Sequence, residues 1–159
     1  MVWLCWLPVL GLAPACGQSN EPRVAGGVFA STGFEDVLGF SVSAGGYMEA
    51  SRFRFRPGVE LRGSAGDVEG KLMMVGPRVS LRVPGHDAYA GALFGPSHIL
   101  NTKGPGDISG VTSEFVIGVE KDIGPYVRWR QFELGVEYFS GTSSFKAMTI
   151  STGFVFHIH

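Results

Sequence analysis

Apolar and polar residues alternate with a period of two along most of the chain beyond residue 22. The clearest stretch is Arg52–Arg62. Phe53, Phe55, Pro57, Val59 and Leu61 take one set of positions, and Arg52, Arg54, Arg56, Gly58, Glu60 and Arg62 the other. Side chains on a strand point alternately to its two faces, so this segment has an apolar face and a charged face. Met73–Val83 repeats the pattern, with Arg78 and Arg82 among the polar positions. In Glu114–Glu120, Phe115, Ile117 and Val119 oppose Glu114, Val116, Gly118 and Glu120. In Phe132–Tyr138, Phe132, Leu134, Val136 and Tyr138 oppose Glu133, Gly135 and Glu137. Near the end, Met148, Ile150, Thr152, Phe154, Phe156 and Ile158 oppose Thr149, Ser151, Gly153, Val155, His157 and His159.

Arg23–Ser31, Val37–Met48 and His86–Leu100 are less regular strand candidates, rich in Gly, Ala, Phe and Val. Val127 and Trp129 alternate out of step with Phe132 and Leu134, so a bulge is expected between Arg130 and Gln131. The count is about eight strands. The connections predicted between them alternate in length: Thr32–Asp36, Glu49–Ser51, Gly63–Gly70, Pro84-Gly85, Asn101–Gly110, Lys121–Gly124 and Ser140–Phe145. Long then short is the rhythm of a membrane barrel, with short turns at one end and longer loops at the other.

Alternation is common to soluble and membrane barrels, so residue chemistry has to separate them. The polar positions hold Arg52, Arg54, Arg56, Arg62, Arg78, Arg82, Arg128 and Arg130 against Glu60, Glu114, Glu120, Glu133 and Glu137, with almost no Lys. Arginine's rigid fork suits buried ion pairs. Segments of this length match the roughly 9–11 residues that a tilted strand needs to cross a bilayer. The expected fold is a closed, antiparallel, up-and-down transmembrane barrel, all-β, its apolar face toward lipid. Those thirteen charges form its lumen network. Arg outnumbers Glu among them, so any leakage should favour anions. Tyr126, Trp129, Tyr138 and Phe139 are candidates for an interface girdle.

Composition narrows the class further. A net charge of -1 gives no electrostatic reason to expect nucleic acid. Glycine is abundant, 24 residues, much of it inside apolar runs where a helix disfavours it and a curved sheet uses it. Both cysteines, Cys5 and Cys16, precede the repeating segments. Val2–Ala13 is apolar but shorter than the about 20 residues of a spanning helix, and Ala13-Pro14-Ala15 resembles a signal-peptide cleavage site. Residues 1–15 therefore read as a signal-like segment, 16–22 as a linker and 23–159 as the barrel. No Lys or Arg precedes the apolar run. Acylation at Cys16 is a variant of the same export reading.

Val75-Gly76-Pro77-Arg78-Val79-Ser80, followed by Ala90-Gly91-Ala92-Leu93-Phe94-Gly95, resembles the bacterial outer-membrane β-barrel domain family. These are small porin-annotated barrels similar to the outer-membrane-protein-A barrel and the opacity proteins. Ile150-Ser151-Thr152-Gly153-Phe154-Val155-Phe156 looks like that family's last strand. The resemblance runs from about Arg23 to the end. It implies an outer-membrane location, contact with outer-membrane lipid and assembly by the outer-membrane insertion machinery, and it brings no catalytic residues. Family strands usually finish on an aromatic residue; this chain ends in His159.

No arrangement of residues calls for a cofactor. His157-x-His159 with His86 is a weak metal candidate without a carboxylate or Cys beside it. The Arg-rich face of the third segment has the chemistry to bind anions or lipid phosphate, but an internal salt-bridge plug is the simpler account. Gly104-Pro105-Gly106-Asp107 lacks the Lys and helix of a phosphate loop. No nucleophile has a base set beside it, so no enzyme is expected. The functional expectation is a monomeric structural or surface-interaction barrel with a plugged lumen. The alternatives are a narrow, weakly anion-preferring pore and an exported soluble lipocalin-like barrel.

Overall fold

A computed structural model of the chain describes residues 23–34, 38–50, 54–66, 72–99, 108–141 and 144–158. The signal-like segment, the linker, Arg52, Phe53 and His159 lie outside them. Strands β1 (Arg23–Phe34), β2 (Leu38–Glu49), β3 (Phe55–Gly66), β4 (Leu72–Val83), β5 (His86–Ile99), β6 (Ile108–Asp122), β7 (Val127–Gly141) and β8 (Ser144–Ile158) follow one another in order. Each pairs antiparallel with the next, and β1 pairs with β8, so the sheet closes into a barrel. The strands are 12 to 15 residues long, enough to cross a bilayer at a tilt.

The outer wall is apolar. Val59, Leu61, Val75, Val79, Phe115, Ile117, Leu134, Ile150 and Phe154 all point away from the lumen and are exposed. Water would not tolerate a belt of that extent on a monomer. The same strands turn their charged positions inward, so the protein is apolar outside and polar inside. Tyr126 and Trp129 lie outward at one rim and Tyr138 outward toward the other. Phe139 departs from the expected girdle: it is buried in the lumen against Gly110 and Gly141. By the alternation of its own strand it shares the face of Glu133, Gly135 and Glu137.

The strands also run further than their apolar parts. They leave residues 35–37, 67–71, 100–107 and 142–143 for one end of the barrel, and 50–54, 84–85 and 123–126 for the end that carries the chain termini. The expected contrast of long and short connections is therefore slight, save at 100–107. A backbone ladder needs no apolar side chain to continue, so residues such as Ser140 and Gly141 stay paired. At the tight turn Pro84-Gly85, Gly85 adopts a φ of 76°, a region that L-residues rarely occupy.

The phase slip expected in β7 is present. Val119 pairs with Phe132 and Glu120 with Arg130, leaving Gln131 as the extra residue. On the other side Arg130 faces Gly153 and Glu133 faces Ser151. The bulge puts Arg128, Arg130, Glu133 and Glu137 into one lumen despite their mixed parity. Thr152 Oγ1 donates to the Arg130 carbonyl (2.9 Å) and so fastens the bulge to β8.

Candidate functional site

Among the described residues, chemistry-bearing side chains converge in the lumen. An eight-stranded barrel is only wide enough inside for side chains. Arg78 stands at its centre. Its Nε donates to Glu49 (2.8 Å) and its Nη1 to Glu60 (3.0 Å), while Nη2 lies 3.1 Å from Glu120. Its guanidinium is stacked between the rings of Tyr47 (4.0 Å) and Tyr89 (3.8 Å). Charge, hydrogen bonds and cation–π attraction from four other strands thus meet on one side chain.

Two further arginines extend the network. Arg62 makes a bidentate pair with Glu133, both bonds 2.8 Å, and donates to Glu60 (2.7 Å). Arg130 bonds Glu120 (3.0 Å) and Glu133 (3.0 Å). Tyr89 and Ser151 also donate to Glu133, and Tyr47 donates to Glu120. Glycines make the room. A side chain at Gly118 would collide with the Tyr89 ring, and one at Gly135 with Glu114 and Thr149.

Toward the terminal end lies a cationic layer. Asp87 is reached by Arg128 (2.5 Å), Arg56 (2.6 Å), Arg23 (3.7 Å) and Arg82 (3.7 Å). Arg128 also contacts Asp122 at the rim. Toward the other end the lining gains the hydroxyls of Ser41, Ser43, Ser64, Thr149 and Ser151, beside Arg62, Met74, Glu114, Glu133 and Glu137. These enclose a cavity of about 20 Å³, room for one water or so.

Of the lumen charges expected from sequence, Arg56, Glu60, Arg62, Arg78, Glu114, Glu120, Arg128, Arg130, Glu133 and Glu137 are buried inside the barrel. Arg54 is not: it is exposed in the connection before β3 starts at Phe55, where no lumen exists for alternation to aim it into. Arg82 sits at the rim, its side chain half exposed. The sequence reading missed Glu49 and Asp87, both buried beside turns, and the tyrosines that brace Arg78. Tyr47-x-Glu49 and Asp87-x-Tyr89 carry the period-2 signal that would have found them. Arg23, also missed, reaches Asp87, and among the described residues the lumen and its mouth then hold as many acids as arginines, without the excess of Arg that suggested anion-selective leakage. Among the described residues no group of His, Cys, Asp and Glu has metal-holding geometry.

An apolar wall around a charged, side-chain-filled lumen defines the class: a small eight-stranded transmembrane barrel. Solved structures similar to it include a designed and a natural barrel. A de novo designed transmembrane β-barrel superposes with a TM-score of 0.51 at 14% identity, covering 86% of this chain and 95% of the design. Neisserial surface protein A superposes with a TM-score of 0.52 at 12% identity, covering 86% of this chain and 96% of that one. No protein-family model matches the chain, and no curated sequence does.

Proposed function

We propose that this protein is an outer-membrane barrel with a structural or surface-interaction role and a lumen closed by its own ion pairs. The observation that carries the reading is Arg78, bound to three carboxylates and clamped by two tyrosine rings at the middle of the channel. An ion path would have to break those bonds, and a buried charge stripped of its partner is costly. The outer-membrane location is supported by the apolar wall and by a fold shared with a Neisserial surface protein. The barrel works as a monomer embedded in lipid, and its role requires no catalytic group or cofactor.

Two measurements test this. Extraction from cell envelopes should require detergent; release by salt or alkaline washing alone would favour the soluble barrel. Purified protein in planar bilayers should give no stable porin-sized steps. Ohmic conductance that persists across voltages would replace the plug with a pore.

A further inference from the structure

The layer around Asp87 brings four guanidinium groups to one buried carboxylate. Asp87 is shared by Arg23, Arg56, Arg82 and Arg128. The neighbouring carboxylates are committed elsewhere. Glu49 accepts from Arg78 and Ser80 and reaches Arg56 only at 3.8 Å. Glu120 serves Arg78, Arg130 and Tyr47 and lies 3.9 Å from Arg128. Asp122 is largely solvent-exposed.

The result is a concentration of buried donors without hydrogen bonds. They are Nε, Nη1 and Nη2 of Arg56, Nη2 of Arg128 and Nη1 of Arg23; Oδ2 of Asp87 also lacks a hydrogen bond, though it lies at ion-pair distance from Arg128 (2.5 Å) and Arg23 (3.7 Å). Nη2 of Arg56 is 2.6 Å from Asp87 but off the hydrogen-bonding direction. Arg56 and Arg128 are almost wholly buried, 3% and 1% exposed. Orphaned guanidinium donors are expensive in a low-dielectric interior unless an acceptor meets them. Several forks aimed at one place suit a multi-oxygen anion better than a spherical ion. The layer is also reachable, since Arg82 is half exposed and Arg23 a quarter exposed at the barrel mouth.

We propose that the mouth at the terminal end binds a small oxyanion of the phosphate or sulfate type, held by Arg23, Arg56 and Arg128 around Asp87. Arg82 draws it in from solvent. The same chemistry is offered by free phosphate and by a lipid phosphate headgroup. The site does not depend on what the opposite end of the barrel contacts.

The test uses the full barrel in phosphatidylcholine nanodiscs at constant ionic strength, followed through arginine side-chain Nε–H resonances and thermal unfolding. Inorganic phosphate should produce saturable shifts at Arg56 and Arg128 that chloride does not. Arg23→Gln, a change at the partly exposed end of β1, should weaken the response about tenfold, the loss of one charge-assisted contact. Asp87→Asn removes the resident carboxylate. Its unfolding temperature, or its refolding yield where it does not fold in chloride, should be raised by phosphate more than that of the wild type. Shifts with free phosphate identify a soluble anion. Shifts that appear only in discs doped with phosphatidic acid identify a phosphomonoester headgroup. Identical behaviour in phosphate, chloride and both kinds of disc would overturn the site and leave only water on these donors.

Discussion

The same eight strands line both halves of the lumen, and they line them differently. From the terminal end to the middle, long charged side chains and two tyrosines fill the space. From the middle to the opposite end, serines and threonines line a small cavity with Arg62, Glu114, Glu133 and Glu137, and Met74 and Phe139 are buried alongside. Each charged group in the central network answers to several strands. Arg78 alone draws on β2, β3, β5 and β6. The hydroxyl half has more local bonds, such as Thr112 to Ser97 (2.9 Å) on adjacent strands. The first half ties the barrel across its diameter, and the second adds little to what the backbone ladder already does. Polarity alone does not make a plug. Reach and multiple partners do.

The most severe way to break this arrangement is to delete Gln131. Without the bulge the outer part of β7 changes phase, and Arg128 and Arg130 turn toward lipid. Each arginine on the lipid face costs about 2–4 kcal/mol near the midplane. The deletion should abolish folding into vesicles, as read by the gel-mobility shift of folded barrels. Gln131→Ala keeps the extra residue and should fold. Next is Arg78→Ala, which leaves Glu49, Glu60 and Glu120 short of their shared cation. Removal of one partner from a buried pair costs about 3–5 kcal/mol. Equilibrium unfolding in urea should show that loss, and a change below the scatter would mean that the centre is hydrated rather than plugged.

A third substitution leaves the lumen alone. Leu61→Arg or Val79→Arg places a charge on the lipid face and should cost about 2–4 kcal/mol in the same assay. Stability equal to wild type would place these residues away from hydrocarbon. The smallest effect is expected in the hydroxyl half, where Ser43→Ala should change stability by about 0.5 kcal/mol or less. If it rivals Arg78→Ala, the contrast between the halves is wrong.

Both faces of β3, β4, β6, β7 and β8 could be read from the sequence because two separate demands enforce the same period. Lipid accepts only apolar residues outside, and the narrow lumen collects the charged ones inside. Even the bulge was legible, since Val127 and Trp129 could not share a face with Phe132 and Leu134 in an unbroken strand. The failures lie where one demand lapses. Arg54 continues an alternation that has already left the barrel, and periodicity does not mark where a strand stops. Glu49 and Asp87 sit against turns, where a carboxylate looks like ordinary turn chemistry. The stacking of Arg78 between Tyr47 and Tyr89 joins strands distant in sequence, and no local pattern encodes it. The proposed oxyanion site was hidden for the same reason, because it depends on which arginines share Asp87.

The closing seam has a consequence for the order of assembly. β1 and β8 meet along a full backbone ladder, yet they bring mostly small or neutral side chains inward, such as Ala25, Ser151 and Val155. Glu49, Glu60, Arg62, Arg78, Tyr89, Glu120, Arg130 and Glu133 all belong to β2 through β7. The central ion-pair network therefore belongs to a curved six-strand sheet and can form before the circle is complete. The edges can stay parted while most of these ion pairs are already made, and closure adds the bonds of Ser151 to Glu133 and Thr149 to Glu114 and the reach of Arg23 to Asp87.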